Sequence, residues 1–180
     1  MSLFVCDIES DGPIPGPYSM INFGIVKVEP SLEIFYYGET KPISKDWIPE
    51  ALAISGVSRE THETFNSPEF TMTAVRKWII ENNTKGRPIF ISDNNGYDFA
   101  FFNYYFHTFI DKSVPFNDRN PFGWSSRRIS DLYCGMMKDS RAAWKHLRKT
   151  KHTHDPVQDS LGNAEVILEM KRMGLKIDLR

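Results

Sequence analysis

Acidic residues stand beside apolar, strand-like segments at three widely separated points of this 180-residue chain. The three points are Phe4 to Glu9, Pro88 to Asp98, and His154 to Asp159. Burying a carboxylate is costly unless the group is paired with a cation or holds a metal ion. The pattern therefore favours a fold in which distant carboxylates meet at a metal site, and it disfavours a merely solvated acidic surface.

The first acidic cluster ends a short apolar run from Leu3 to Ile8, whose Val, Ile and Phe residues predict a buried strand. Alternate side chains of a strand share one face, so Asp7 and Glu9 are expected to point the same way. Ligands of open α/β sheets gather at the carboxyl ends of strands. On this motif alone, a strand that ends in two exposed acids stays an alternative.

The last cluster contains the signals of a helix start. Asp155 is suited to cap the helix, Pro156 to occupy its first position and Gln158 to close a capping box. Asp159 then lies about one turn inside the helix, and His154 lies on the loop before it. A mobile histidine beside a fixed acid suits a general base next to a metal ligand. The alternative is a surface histidine before an ordinary amphipathic helix.

The middle cluster offers two candidate acids. Residues 88–92 predict a strand, a turn follows, and an aromatic helix is expected over 98–110. Asp93 stands at the exit of the strand and could cap the turn. Asp98 stands at the start of the helix, where the helix dipole favours its charge. The dense aromatic residues of this helix have helical spacing, which favours core packing over a platform for stacking bases.

The three motifs resemble those of the DEDDh 3′–5′ exonucleases, which include polymerase proofreading subunits, ribonuclease T and oligoribonuclease. The matching residues are Asp7-Ile8-Glu9, Asn94 to Asp98 (with Tyr97 in place of Phe), and His154 with Asp159. The segment Pro49 to Ser58 is also similar to a family segment. The resemblance runs from Phe4 to about Leu175, with the motifs in the family's order and at its distances.

The resemblance implies an α/β, ribonuclease H-like fold with a mixed five-stranded sheet flanked by helices, forming a single exonuclease domain over residues 1–180. It also implies a two-metal mechanism, with two Mg²⁺ ions for which Mn²⁺ can substitute. The implied metal ligands are Asp7, Glu9, Asp98 and Asp159. His154 is implied as the general base that takes a proton from the attacking water, and the product as a nucleoside 5′-monophosphate.

The expected partners are single-stranded RNA or DNA 3′ ends. RNA is slightly favoured because the chain is small and has no segment that would tether it to a polymerase. A homodimer is an option, since family members are often dimers. Two other functions stay open: a metal-dependent hydrolase of small phosphoesters or dinucleotides, and a nucleic-acid-binding module without catalysis.

Substrate contacts are expected at two places. Ser10 belongs to a segment, Ser10 to Gly12, that departs from the family pattern near the expected substrate pocket. Gly56 belongs to the segment Pro49 to Ser58, which resembles a family segment. Lys145 and Arg148 belong to a basic stretch between Trp124 and His154 that holds eight Lys and Arg residues against two acids. On a helix, this stretch would place a set of cations on one face and guide phosphates towards His154: Arg141, Lys145, Arg148 and Lys149. A solvated helix face is the equally supported alternative.

Composition agrees with one globular domain, since 41% of the residues are hydrophobic and the formal net charge is −1. No apolar run approaches 18 residues, so no membrane segment is expected. With only two cysteines, Cys6 and Cys134, we expect a reducing, cytoplasmic location. The spacing of His146, His152, His154 and Cys134 fits no standard structural zinc pattern.

The coarse order of elements predicted from the sequence is strand 3–9, strand 20–28, strand 32–39, helix 48–55, helix 69–82, strand 88–92, helix 98–110, strand 127–131, helices within 131–150 and helix 156–173.

Overall fold

The structure is a computed structural model that describes residues 1–177. Its sheet is built from β1 (Leu3–Ser10), β2 (Met20–Lys27), β3 (Phe35–Glu39), β4 (Ile89–Ser92) and β5 (Ser126–Arg128). The strands lie in the order β3-β2-β1-β4-β5. β1, β2 and β3 form an antiparallel meander, whereas β4 pairs with β1 and β5 pairs with β4 in parallel. The predicted mixed five-stranded sheet is therefore confirmed. Residues 178–180 of the predicted domain lie outside the described part.

Helices cover both faces of the sheet. They are α1 (Pro49–Ile54), α2 (Arg59–His62), α3 (Pro68–Asn82), α4 (Asn95–Phe109), α5 (Phe116–Arg119), α6 (Ile129–Met137) and α7 (Pro156–Arg172), with a short 3₁₀ turn at Lys145–Leu147. The short helices α2 and α5 were not predicted. No helix within residues 1–177 combines the length and the apolar character that crossing a membrane requires.

Two apolar cores lie on opposite faces of the sheet because the side chains of β1 alternate. Phe4, Cys6 and Ile8 pack with α3 and α4, and Leu3 and Val5 pack with α6 and α7. The aromatic residues at the centre of α4 are fully buried in the first core, as their helical spacing predicts: Phe101, Phe102, Tyr105 and Phe106. Phe122 of the tract 120–124 also packs into this core, so this ring covers the core.

Helix α7 is pressed against the sheet at Gly24 of β2, which is paired with Asp7 of β1. A Cβ atom at Gly24 would lie 2.3 Å from the carbonyl oxygen of Pro156, so only a glycine admits the helix at this distance. The hydroxyl of Ser160 donates a hydrogen bond of 3.0 Å to the Gly24 carbonyl. These contacts bring the first turn of α7 next to Asp7.

The prediction of helices within 131–150 is wrong for most of that range. Helix α6 ends at Met137, and Lys138 adopts a left-handed conformation with φ of 56°. Beyond it, the backbone amides of Lys149 and Thr150 donate to the carboxylate of Glu165 on α7, at 2.8 Å each. Because these amides are engaged by a side chain, they cannot continue a helix.

The predicted basic face of Arg141, Lys145, Arg148 and Lys149 is therefore wrong as a helical face, since the segment is a loop with one 3₁₀ turn. Three boundaries differ from the prediction by three residues, and one of them is the end of the strand expected at 127–131, which stops at Arg128. The helix expected at 98–110 begins at Asn95, and the strand expected at 32–39 begins at Phe35.

Candidate active site

Three of the predicted metal ligands meet at the carboxyl end of β1. Asp7 and Glu9 extend from this strand, and Asp159 extends from the first turn of α7, which Gly24 admits beside the strand. One carboxylate oxygen from each of these residues lies within 4.8 Å of the others. The period of the strand and the helix start thus place the acids together, as the sequence predicts.

Asp98 approaches the same group from α4. Asp98 is 2% exposed, and its Oδ2 atom has no hydrogen-bond partner among the described residues. Asp93, the competing acid, lies at the exit of β4, where its Oδ2 is 3.2 Å from the Nζ of Lys145. Asp98 is not one of the three residues whose oxygens lie within 4.8 Å of one another, but its charge acts on Asp7, whereas Asp93 pairs with Lys145. Because α4 begins at Asn95, Asp98 is the fourth residue of the helix and is turned inward.

Three acids of this group, Asp7, Glu9 and Asp98, have raised pKa values. Burial raises the pKa of Asp7 well above its usual range, and the carboxylates of Asp98 and Asp159 raise it further. Burial, followed by the charge of Asp159, raises the pKa of Glu9 to about 7. Burial raises the pKa of Asp98 to about 7. Such perturbed carboxylates in one group are typical of a functional site.

Asp159 is held by hydrogen bonds to both of its oxygens. Its Oδ1 accepts from Nη2 of Arg148 at 3.0 Å and from the amide of Thr153 at 3.1 Å. Its Oδ2 accepts from the amide of His154 at 2.9 Å. Asp155 caps the helix as predicted, since its Oδ1 accepts from the amides of Val157 and Gln158. The orientation of Asp159 is thus fixed by the loop that precedes α7.

His154 lies beside the acids with its side chain 48% exposed. Its Nδ1 is 3.4 Å from Oε1 of Glu9. Its φ of 60° places it in the left-handed region, which is uncommon for a residue other than glycine. Strained backbone of this kind is concentrated at functional sites. In this conformation the amide of His154 points towards Asp159. The backbone at His154 is therefore held in place and does not swing freely.

A second histidine faces the same carboxylate. Nδ1 of His152 lies 2.8 Å from Oδ2 of Asp159, and its ring centroid lies 4.4 Å from that of His154. In the sequence, His152 is a candidate only for a structural zinc site, whose spacing it does not fit. Its position two residues before His154 was the available signal, but the loop conformation that turns both rings to one side could not be inferred from it.

The predicted substrate residues lie at separate places. The hydroxyl of Ser10 is bonded to the carbonyl of Gly12 and shares a hydrogen bond with the hydroxyl of Tyr97. Gly56 is on an open turn with φ of 70°. Lys145 pairs with Asp93, as described above. Arg148 is turned away from a phosphate-guiding position, since its side chain is 9% exposed and pairs with Asp159.

Arg148 fits against α7 because of another glycine. A Cβ atom at Gly162 would lie 2.6 Å from Nε of Arg148, so the missing side chain leaves room for the guanidinium. Nε of Arg148 also donates to the carbonyl of Thr150 at 3.2 Å. Arg148 therefore joins the loop to the helix, a role that its position in a basic stretch did not predict.

Several solved structures share this fold at low sequence identity. The nuclease domain of 3′hExo, a DEDDh family member bound to rAMP, superposes with a TM-score of 0.76 at 16% identity and covers 98% of this chain and 94% of that one. A 3′-exonuclease that recognises a histone mRNA stem-loop gives a TM-score of 0.71 at 15% identity, covering 96% of this chain and 64% of that one. Escherichia coli Exonuclease I with a dT13 oligonucleotide gives 0.66 at 14% identity, covering 96% and 41%.

A scan against models of protein families gives no match. A 3′–5′ DNA exonuclease of Escherichia coli, Cap18, is 32% identical over 183 aligned residues, which cover 94% of this chain and 91% of that protein. The chain belongs to the DEDDh 3′–5′ exonucleases. This confirms the family, the ribonuclease H-like fold and the class of enzyme, a metal-dependent 3′–5′ exonuclease, that the motifs predicted.

Proposed function

We propose that this DEDDh exonuclease removes nucleotides from the 3′ end of single-stranded DNA, releasing nucleoside 5′-monophosphates. Asp7, Glu9, Asp98 and Asp159 hold two divalent cations, and His154 is the general base. The observation that carries the proposal is that carboxylates of β1 and α7 meet within 4.8 Å, while the charge of Asp98 on α4 also acts on Asp7.

The donor set fits hard divalent cations. Its four members are carboxylates, the ligands that Mg²⁺ and Mn²⁺ prefer. One oxygen of Asp98 is buried without a hydrogen-bond partner in the described chain, as expected of an atom that serves as a ligand. Burial raises the pKa values of Glu9 and Asp98, and a nearby carboxylate adds to each rise, so bound cations would favour the ionised forms that serve as ligands. When bound, the ions would polarise the scissile phosphate and stabilise its developing charge.

His154 supplies the proton transfer in this proposal. Nδ1 of His154 lies 3.4 Å from Oε1 of Glu9, so the protonated Nδ1 can donate a hydrogen bond to this carboxylate. In that tautomer Nε2 carries no proton and can accept one. Nε2 takes a proton from the attacking water, whose oxygen forms a bond to phosphorus while the bond to the 3′ oxygen breaks. Glu9 then stabilises the resulting imidazolium. The leaving 3′ oxygen takes its proton from solvent.

Asp159 and the loop before it position these groups. Arg148 and the backbone amides of Thr153 and His154 fix the carboxylate of Asp159. Because the amide of His154 is bonded to Asp159, the backbone that carries the His154 side chain is fixed as well. The arrangement joins ligand and base in one unit. We retain Ser10, Gly56 and Lys145 as predicted substrate contacts, and assign Arg148 to positioning Asp159.

The choice of DNA rests on Cap18, whose name specifies DNA. The preference for RNA that chain size favours stays a prediction, because discrimination depends on contacts to the 2′-hydroxyl. The deciding assay uses matched 5′-labelled DNA and RNA oligonucleotides of graded length, each with Mg²⁺, Mn²⁺ or EDTA. We expect 3′-shortened products from DNA in Mg²⁺ and none in EDTA.

The same assay separates the other candidates. Hydrolysis of dinucleotides alone would favour the small-phosphoester hydrolase, and retention of oligonucleotides without cleavage would favour the binding module. A domain that spans residues 1–180 and the option of a homodimer also stay proposals. Light scattering at several protein concentrations would test the latter.

A further inference from the structure

Beside the carboxylate site, the loop before α7 and the first turn of this helix together carry a chemically different set of donors. His152, His154 and Asp159 each offer one ligand atom, and these atoms lie within 4.8 Å of one another. His152 and His154 are half-exposed, with side chains 55% and 48% accessible, while Asp159 is buried at their base. An ion in solution can therefore reach the group from the open side.

We propose that His152, His154 and Asp159 form a binding site for a borderline transition-metal ion, represented by Zn²⁺, and that its occupation switches the exonuclease off. Two imidazoles and one carboxylate match the ligands of open zinc sites, which have three protein ligands and a fourth position for water. Mg²⁺ and Ca²⁺ select oxygen donors, so this group and the four carboxylates prefer different metals.

The distances fit one ion. Ligands about 2 Å from a tetrahedral Zn²⁺ lie roughly 3.3 Å from one another. Nδ1 of His152 and Oδ2 of Asp159 are already 2.8 Å apart, and the rings of His152 and His154 are 4.4 Å apart between centroids. Small side-chain rotations therefore suffice to place a nitrogen of each ring and Oδ2 around the ion.

The surroundings prepare Asp159 to serve as a ligand through Oδ2. Its Oδ1 accepts from Arg148 and from the amide of Thr153, and these partners can stay in place when Oδ2 binds a metal. Oδ2 accepts one hydrogen bond, from the amide of His154, and its second lone pair is available for the ion. Outer partners of this kind orient a ligand and tune its affinity. The nearby carboxylates of Asp7 and Glu9 add an electrostatic attraction for any dication.

Occupation of this site is incompatible with the proposed mechanism because two residues are shared. His154 bound to Zn²⁺ can no longer accept a proton from water, and Asp159 is withdrawn from the carboxylate site. His152 belongs to the new site alone, so it separates zinc binding from catalysis. The inhibitory effect rests on the proposed function, whereas the binding itself does not.

The test measures Zn²⁺ affinity by competition with a chromophoric chelator, at one fixed Mg²⁺ concentration for all proteins because the two sites share Asp159. The variant is His152→Gln, and the matched control is His146→Gln, which changes another exposed histidine on the same loop segment. We expect His152→Gln to lose at least about tenfold in Zn²⁺ affinity, since even outer-shell changes cost about 10–100-fold. His146→Gln should bind like the wild type.

A parallel assay measures exonuclease activity in Mg²⁺ against added Zn²⁺. We expect inhibition of the wild type at concentrations that leave His152→Gln active, with thermal unfolding used to verify that both variants fold. Equal Zn²⁺ affinity of the wild type and His152→Gln would overturn the site, as would an equal loss in His146→Gln. The binding assay needs no turnover, so a failure of the proposed exonuclease function would appear only in the parallel assay.

Discussion

Two aspartates near the end of β1, the partly buried Asp7 and the fully buried Asp11, differ in what surrounds them. Asp11, just past the strand, pairs with Nη1 of Arg59 at 2.9 Å and accepts a hydrogen bond from the amide of Ser19. Burial raises the pKa of Asp11, but Ser19 and Arg59 act against that rise. Asp7, four residues earlier, has Asp98, Asp159 and Glu9 as neighbours, and all three raise its pKa further.

The difference separates a structural acid from a functional one. Arg59 also donates to the carbonyl of Ser44, so the Asp11 pair joins the segment around α2 to the end of β1. The group around Asp7 concentrates like charges, which destabilises the fold until cations arrive. The same residue type thus stabilises the molecule at one position and costs stability at the other, and substitutions can test both statements.

The largest expected effect is on catalysis. Asp7→Asn should lower the turnover of 3′-labelled and 5′-labelled single-stranded DNA by roughly 10³-fold or more, a loss typical of a residue that acts within a catalytic unit. The free energy of unfolding in EDTA should be unchanged or higher, because one of several mutually repelling charges is removed. Activity in Mg²⁺ equal to that of the wild type would refute the ligand assignment.

The same substitution at Asp11 should instead lower the free energy of unfolding. Asp11→Asn leaves Arg59 without its partner, and breaking a buried ion pair from one side costs about 3 kcal/mol. Urea unfolding in EDTA would measure this loss. The matched Asp7→Asn protein is the control, and a loss of equal size in both variants would contradict the comparison.

A smaller effect concerns pH. In EDTA, the folded pKa of Asp7, Glu9 and Asp98 lies above the unfolded value, so the folded state binds more protons than the unfolded state between these values. The stability from these groups is therefore full below about pH 4 and is lost as the pH rises through about 7. Thermal unfolding across this window should show the decline, and saturating Mg²⁺ should reverse it near neutral pH. An unchanged profile in Asp7→Asn would contradict this origin.

The smallest effect is expected from the exposed pair of Lys145 and Asp93, whose Lys side chain is largely solvated. Lys145→Ala should change stability by less than about 1 kcal/mol. If Lys145 meets a substrate phosphate, the slope of log binding constant against log salt should fall by about 0.7 for a single strand. Fluorescence anisotropy with DNA in Ca²⁺ would measure the slope, and an unchanged slope would remove Lys145 from the substrate contacts.

Local rules predicted those parts of the site that depend on neighbouring residues. The strand period placed Asp7 and Glu9 on one side, and the helix-start signals placed Asp159 one turn inside α7. The choice between Asp93 and Asp98 needed the start of α4, which lies three residues earlier than the pattern indicated. Boundaries of this kind depend on packing and not on propensity.

Contacts across the loop before α7 could not be predicted in the same way. The spacing of Arg141, Lys145 and Arg148 suits a helix, but Glu165 binds the backbone amides of the segment and Arg148 turns inward to Asp159. These interactions join residues 11 to 16 positions apart through a non-helical path. Neither periodicity nor composition contains that information.

Gly24 has no side chain, yet it determines how closely the first turn of α7 approaches β1 and β2. Any larger residue there would act as a spacer between the sheet and the first turn of α7, and it would carry the carboxylate of residue 159 away from that of residue 7. The spacing of the carboxylates that would hold the metal ions therefore depends on the absence of a side chain at Gly24 on the neighbouring strand.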